Sequence, residues 1–102
     1  MARIDAYFQY LIESGGSDLH LSEGGPPKVR IHGAITPIAD QPALAGEDFK
    51  DLLSEICDKE AFASYLESGD LDFAYEMNED SRFRCNYLKQ KNGLAAVFRL
   101  IP

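Results

Sequence analysis

Apolar residues recur at helical spacing at the start of the chain. Ile4, Tyr7, Phe8, Leu11 and Ile12 fall at i, i+3, i+4, i+7 and i+8, which is one stripe of a helix. Gly15 and Gly16 end it, because glycine accepts the left-handed conformation that closes a helix. The period then changes to two. Over residues 17–22, Leu19 and Leu21 point one way and Asp18, His20 and Ser22 the other. Residues 23–27 (Glu-Gly-Gly-Pro-Pro) read as a turn. Residues 28–32 alternate again, with Val29 and Ile31 inward. Gly33 leads to a short strand over 34–36, and 37–46 reads as loop, broken by Pro37 and Pro42.

The middle of the chain returns to helical spacing. Phe49, Leu52, Leu53 and Ile56 form one stripe. Asp58 has the position of an N-cap for a further helix burying Phe62, Tyr65 and Leu66 and ending at Gly69. The last third is strands. Leu71, Phe73, Tyr75 and Met77 alternate with Asp72, Ala74 and Glu76, and Asn78-Glu79-Asp80 turns the chain. Next, Phe83, Cys85 and Tyr87 share one face, opposite Arg82, Arg84 and Asn86. Lys91-Asn92-Gly93 is a hairpin signal before a final strand over 94–101.

The order α-β-β-β-α-α-β-β-β predicts an α+β fold. It is a mixed, mainly antiparallel sheet of about six strands with three helices on one face. The 102 residues make one domain, with no internal repeat and no boundary.

Charge narrows the function classes. The chain carries 10 basic and 17 acidic residues, a net charge of −7. Nucleic-acid binding wants the opposite sign, because phosphate neutralisation supplies most of its affinity. The acids from Glu47 to Asp80 read as a solvated face. Cys57 and Cys85 fall on a helix and a strand and are expected as free, buried thiols. No apolar run could span a bilayer, and the N-terminus lacks a signal peptide, so a cytoplasmic protein is expected.

Catalytic motifs are missing. There is no G-x-x-x-x-G-K-[ST] loop and no G-x-S-x-G. Asp18, His20 and His32 are conceivable metal ligands, but two histidines on different strands fit a polar sheet face better, and no metal site is expected. Arg82, Arg84 and Arg99 are the stronger candidates. Arg82 and Arg84 share a face, and Arg99 lies on the next strand of the same hairpin. Their planar forks suit phosphate or carboxylate. The competing expectation is cross-strand pairing with Asp70, Asp72 or Glu76.

Several stretches together resemble the N-terminal domain of the type IV pilus retraction ATPases, the PilT-like family. They are Gly16-Ser17-Asp18-Leu19-His20-Leu21, Pro26-Pro27 before Val29-Arg30-Ile31-His32-Gly33, and Leu71-Asp72-Phe73-Ala74. Arg82-Phe83-Arg84-Cys85-Asn86-Tyr87, Gln90 and Val97-Phe98-Arg99-Leu100-Ile101-Pro102 complete the set. The resemblance implies a PAS-like domain over 1–102, joined in the parent to a RecA-like core that is absent from this chain. It implies a homohexamer at the cytoplasmic face of the inner membrane, in contact with inner-membrane pilus platform proteins. It further implies ATP and Mg2+ bound between the two domains of the parent, with closure driving pilus retraction and twitching motility. Arginines of the N-terminal domain reach toward the nucleotide phosphates in this family. By position that role falls on Arg82, Arg84 and Arg99. The chain alone is then expected to carry no catalytic residue, to bind no cofactor, to hydrolyse no ATP and to be a monomer or weak dimer, with no nucleic acid and no membrane insertion. The alternatives are a free-standing PAS-like adaptor or ligand-binding module, and the N-terminal domain of a related pilus assembly or type II secretion ATPase.

Overall fold

In a computed structural model, residues 2–91 and 93–102 are described. Three helices and six strands follow the expected order. They are α1 (Asp5–Glu13), β1 (Asp18–Ser22), β2 (Lys28–Ile31), β3 (Ala34–Pro37), α2 (Gly46–Ser54), α3 (Lys59–Ser68), β4 (Asp70–Asn78), β5 (Ser81–Gln90) and β6 (Gly93–Ile101). The strands lie in the order β3-β2-β1-β6-β5-β4. Every pairing is antiparallel, so the parallel pair that a mixed sheet allows does not occur among the described residues.

One pairing closes the architecture. β1 pairs with β6, Asp18 opposite Arg99 and Leu21 opposite Ala96, joining the two ends of the chain. The remaining pairings are between neighbours in sequence, made by short turns. β5 and β6 pair with Gln90 opposite Gly93; Asn92, on which the hairpin expectation partly rests, lies outside the described residues.

The period-two pattern gives the sheet two unlike faces. One carries Leu19, Leu21, Val29, Phe83, Cys85, Tyr87, Ala96 and Phe98, all buried. The helices pack there. Phe8 of α1 stacks on Phe83 at a ring separation of 4.1 Å and meets Phe98 edge-on at 5.1 Å. Tyr65 of α3 meets Tyr87 at 5.5 Å. Two buried tyrosines also hold helix to sheet through their polar ends. Tyr87 donates to the Leu53 carbonyl at 2.7 Å, and Tyr65 donates to the Leu88 carbonyl at 2.7 Å. A buried hydroxyl without such a partner costs a desolvation penalty of about 1–3 kcal/mol.

The N-terminal segment is tied down by charge as well as apolar packing. The Tyr75 hydroxyl donates to Asp5 Oδ1 at 2.8 Å, the Ile4 amide donates to Glu55 Oε1 at 2.9 Å, and Arg3 pairs with Asp48 at 2.8 Å.

Local expectations fail in four places. Cys57, expected buried on a helix, lies between the end of α2 and the start of α3 and is only half-buried. Asp58 sits at the N-cap of α3, but its side chain makes no capping bond. His32 is outside β2, in the β2–β3 turn, with φ of 50° beside Gly33 at 82°. The loop before α2 is no mere surface connection, because Ile38 and Leu44 bury in the core. Gly16 is needed for close approach: a Cβ there would stand 2.6 Å from Leu11 Cδ1 and 2.9 Å from the Arg30 carbonyl.

Candidate functional site

The opposite face of the sheet carries the chemistry. Strand register sets its side chains in rows. One row runs Arg30, Asp18, Arg99, Arg84 and Ala74 across β2, β1, β6, β5 and β4. The next runs Lys28, His20, Val97, Asn86 and Asp72 across the same strands. Arg82 lies in a separate row, between Ile101 and Glu76.

Arg84 and Arg99 therefore stand directly opposite each other on adjacent strands, and both are exposed. Like charges in that relation repel. Neither guanidinium has a carboxylate within ion-pair distance among the described residues. The expected cross-strand compensation is thus not made. Asp72 takes a hydrogen bond from the Asn86 amide at 3.3 Å, and Arg82, though opposite Glu76, forms no ion pair with it. Asp18 leans the other way, with Oδ2 3.5 Å from Arg30 Nε and 3.5 Å from His20 Nε2. Its charge is shared on the β1–β2 side, leaving Arg84 and Arg99 uncompensated.

The two arginines line an open hollow of about 350 Å³ with Asp72, Asn86 and Val97. Two forked cations on adjacent strands, with the Asn86 amide beside them, suit a dianion such as a phosphate group, although the Asp72 carboxylate lines the same hollow. Arg82 is outside this hollow. Arg30, and Asp18, weighed above only as a metal ligand, are members of the same row. Only the β1–β6 pairing, across the whole length of the chain, brings them beside Arg99.

Other chemistry is weakly supported. Asp18 and His20 adjoin, but His32 is in the turn, and among the described residues no group of three or more His, Cys, Asp or Glu side chains is placed to hold a metal ion. Burial pushes the Cys85 thiol up to about 12, and burial also raises the half-buried Cys57. The thiolate is the nucleophilic form, so both sulfurs are held in the unreactive one. Among the described residues no helix is long and apolar enough to cross a membrane.

A comparison with known proteins decides what kind of domain this is. The chain is 37% identical over 90 residues to the type IV pilus retraction ATPase PilT of Pseudomonas aeruginosa, covering 88% of this chain and 26% of that protein. The crystal structure of the pilus retraction motor PilT with bound ADP superposes with a TM-score of 0.84 at 33% identity, over 100% of this chain and 29% of that one. In fold and sequence this chain matches the N-terminal domain of the PilT-like pilus ATPases. The type IV pilus ATPase PilU of the same organism is 28% identical over 91 residues, 89% of this chain and 24% of that protein. No family model matches the chain. The chain thus spans about a quarter of the length of the PilT-like relatives.

Proposed function

We propose that the chain serves as the N-terminal domain of a hexameric pilus retraction motor, setting Arg84 and Arg99 against the phosphates of ATP held by a RecA-like core. The observation that carries this reading is the Arg84–Arg99 pair, directly cross-strand and without a carboxylate partner among the described residues. In the free domain that juxtaposition costs stability. It becomes favourable once a polyanion lies between the two guanidiniums. The crystal structure of PilT with bound ADP, matched over the whole of this chain, supports a nucleotide as that anion.

The domain's part in the chemistry is positional and electrostatic. Phosphoryl transfer depends on placing charge where it develops in the transition state. Arg84 and Arg99 are fixed by strands whose other face is a packed core, so their separation does not have to be set at each turnover. ATP supplies the phosphoryl group, and its Mg2+ belongs with the core. Arg82, one row away, lies toward the edge of the same face and would meet the core or a neighbouring subunit rather than the same phosphate. Closure of this face on the core would couple hydrolysis to subunit motion, pilus retraction and twitching, at the cytoplasmic side of the inner membrane.

The test is Arg84→Ala in the full-length ATPase carrying this domain. Turnover is expected to fall about 100-fold or more, the scale of losing one charge-stabilising donor, while the hexamer still assembles. Unchanged ATP hydrolysis with an intact hexamer would remove Arg84 from the nucleotide site.

A further inference from the structure

The sheet ends in two unlike edges. β3 is short, four residues, and finishes at Pro37, which has no N–H to offer. Natural sheets blunt their edges in this way. β4 is nine residues long and contains no proline. It pairs only with β5, and among the described residues no main chain outside β5 takes up the outer row of residues 71–77. Such a row is a template for another strand.

The side chains of β4 state what kind of strand would fit. Leu71, Phe73, Tyr75 and Met77 are only half-buried, although they point to the core face. Their outer flanks lack a neighbour that a further strand would supply. On the other face Asp70, Asp72 and Glu76 are exposed, and none has an ion-pair partner among the described residues. The surrounding sequence is one-signed. Residues 60–81 hold seven acids and no lysine or arginine, which equals the whole net charge of −7. Past the end of the strand, a hollow of about 520 Å³ opens between α1 and β4, lined by Ala2, Ala6 and Met77 together with the polar Arg3, Asp5 and Gln9.

We propose that the β4 edge is a docking site for an extended basic segment of a partner protein, which adds a seventh strand to the sheet. Main-chain bonds would give affinity, and alternate side chains would give specificity. Lysine or arginine at every second position would face Asp70, Asp72 and Glu76. Apolar residues between them would cover Leu71, Phe73, Tyr75 and Met77. A second copy of the chain fits poorly. Antiparallel self-pairing centred on Phe73 or Ala74 sets Asp70 or Asp72 against Glu76.

The experiment is a titration of the isotope-labelled chain with a short capped peptide of alternating lysine and valine, followed by backbone amide shifts and hydrogen exchange. Saturable shifts and slowed exchange centred on 70–78 are expected. The exposed double variant Asp70→Lys/Glu76→Lys, with its remaining amide spectrum unchanged, should weaken the peptide by about fivefold or more, the scale of losing two surface ion pairs. Three results would overturn the proposal. The first is an equal response to a glutamate–valine peptide. The second is undiminished binding of a lysine–valine peptide methylated on its alternate amides, which cannot add as a strand. The third is concentration-dependent self-association through β4 without peptide, which would give the edge to a second copy.

Discussion

The two faces of β5 show how one strand serves two purposes. Phe83, Cys85 and Tyr87 face the helices and are fully buried. Arg82 and Arg84 face away and are exposed, and Asn86 is half-buried. The covered face is saturated: rings stack, and the buried hydroxyls of Tyr65 and Tyr87 have acceptors. The open face is left unbalanced, with two arginines opposed and no counter-charge taken up among the described residues. Stability resides on one side and unspent electrostatic potential on the other. Substitutions on the two sides should therefore separate cleanly.

The largest effect belongs to the covered face. Phe98 is buried on β6 between Phe8 and Tyr87, with ring separations of 5.1 and 5.9 Å. Phe98→Ala should cost about 3–5 kcal/mol, the range for emptying an aromatic core site. Denaturant unfolding would read it as a lower midpoint with an unchanged slope. A loss near zero would mean that the α1–sheet contact is not the core of the domain.

The difference between the faces also explains what could be read from sequence. Alternation in β4 and β5 was legible because one face is apolar and the other polar, so period two survives in the residues themselves; β6, continuously apolar from Leu94 to Phe98, was expected only from the hairpin signal before it. The α1 stripe and its glycine stop were legible for the same kind of reason. The Arg82, Arg84 and Arg99 neighbourhood could be read only coarsely. Sharing a hairpin put them near one another, but register decided that Arg84 opposes Arg99 while Arg82 opposes Ile101. Asp18 and Arg30 could not be reached at all, since their place beside Arg99 depends on pairing the first strand with the last. The burial of Ile38 and Leu44 was hidden by prolines that correctly marked a loop but said nothing of its direction.

A smaller effect on the covered face appears at alkaline pH. Burial pushes Tyr65 from its ordinary value of 10.0 up to about 12, and burial together with the bond to Asp5 does the same for Tyr75. Both are acids whose neutral form is favoured by folding. Their contribution is complete below the unfolded value near 10 and is lost as pH rises through about 12. Stability should therefore fall across that window, and Tyr65→Phe should make the fall shallower. Unfolding midpoints measured alongside tyrosinate absorbance would show it. A flat profile through pH 12 would contradict the shifts.

The smallest effect has the opposite sign and tests the open face. Arg99→Gln removes one of two like charges held directly across β5 and β6. It touches nothing in the core, and Arg99 is exposed. The bare domain should become more stable, by about 0.2–1 kcal/mol at low salt, and the gain should shrink as salt screens the pair. The same change in the proposed full-length ATPase should lower turnover, as is expected of Arg84→Ala. A substitution that stabilises the free domain while harming the motor is what a nucleotide-facing arginine pair requires. If Arg99→Gln destabilised the bare domain instead, the guanidinium would be serving a structural bond, and the open face would lose its claim to the phosphates.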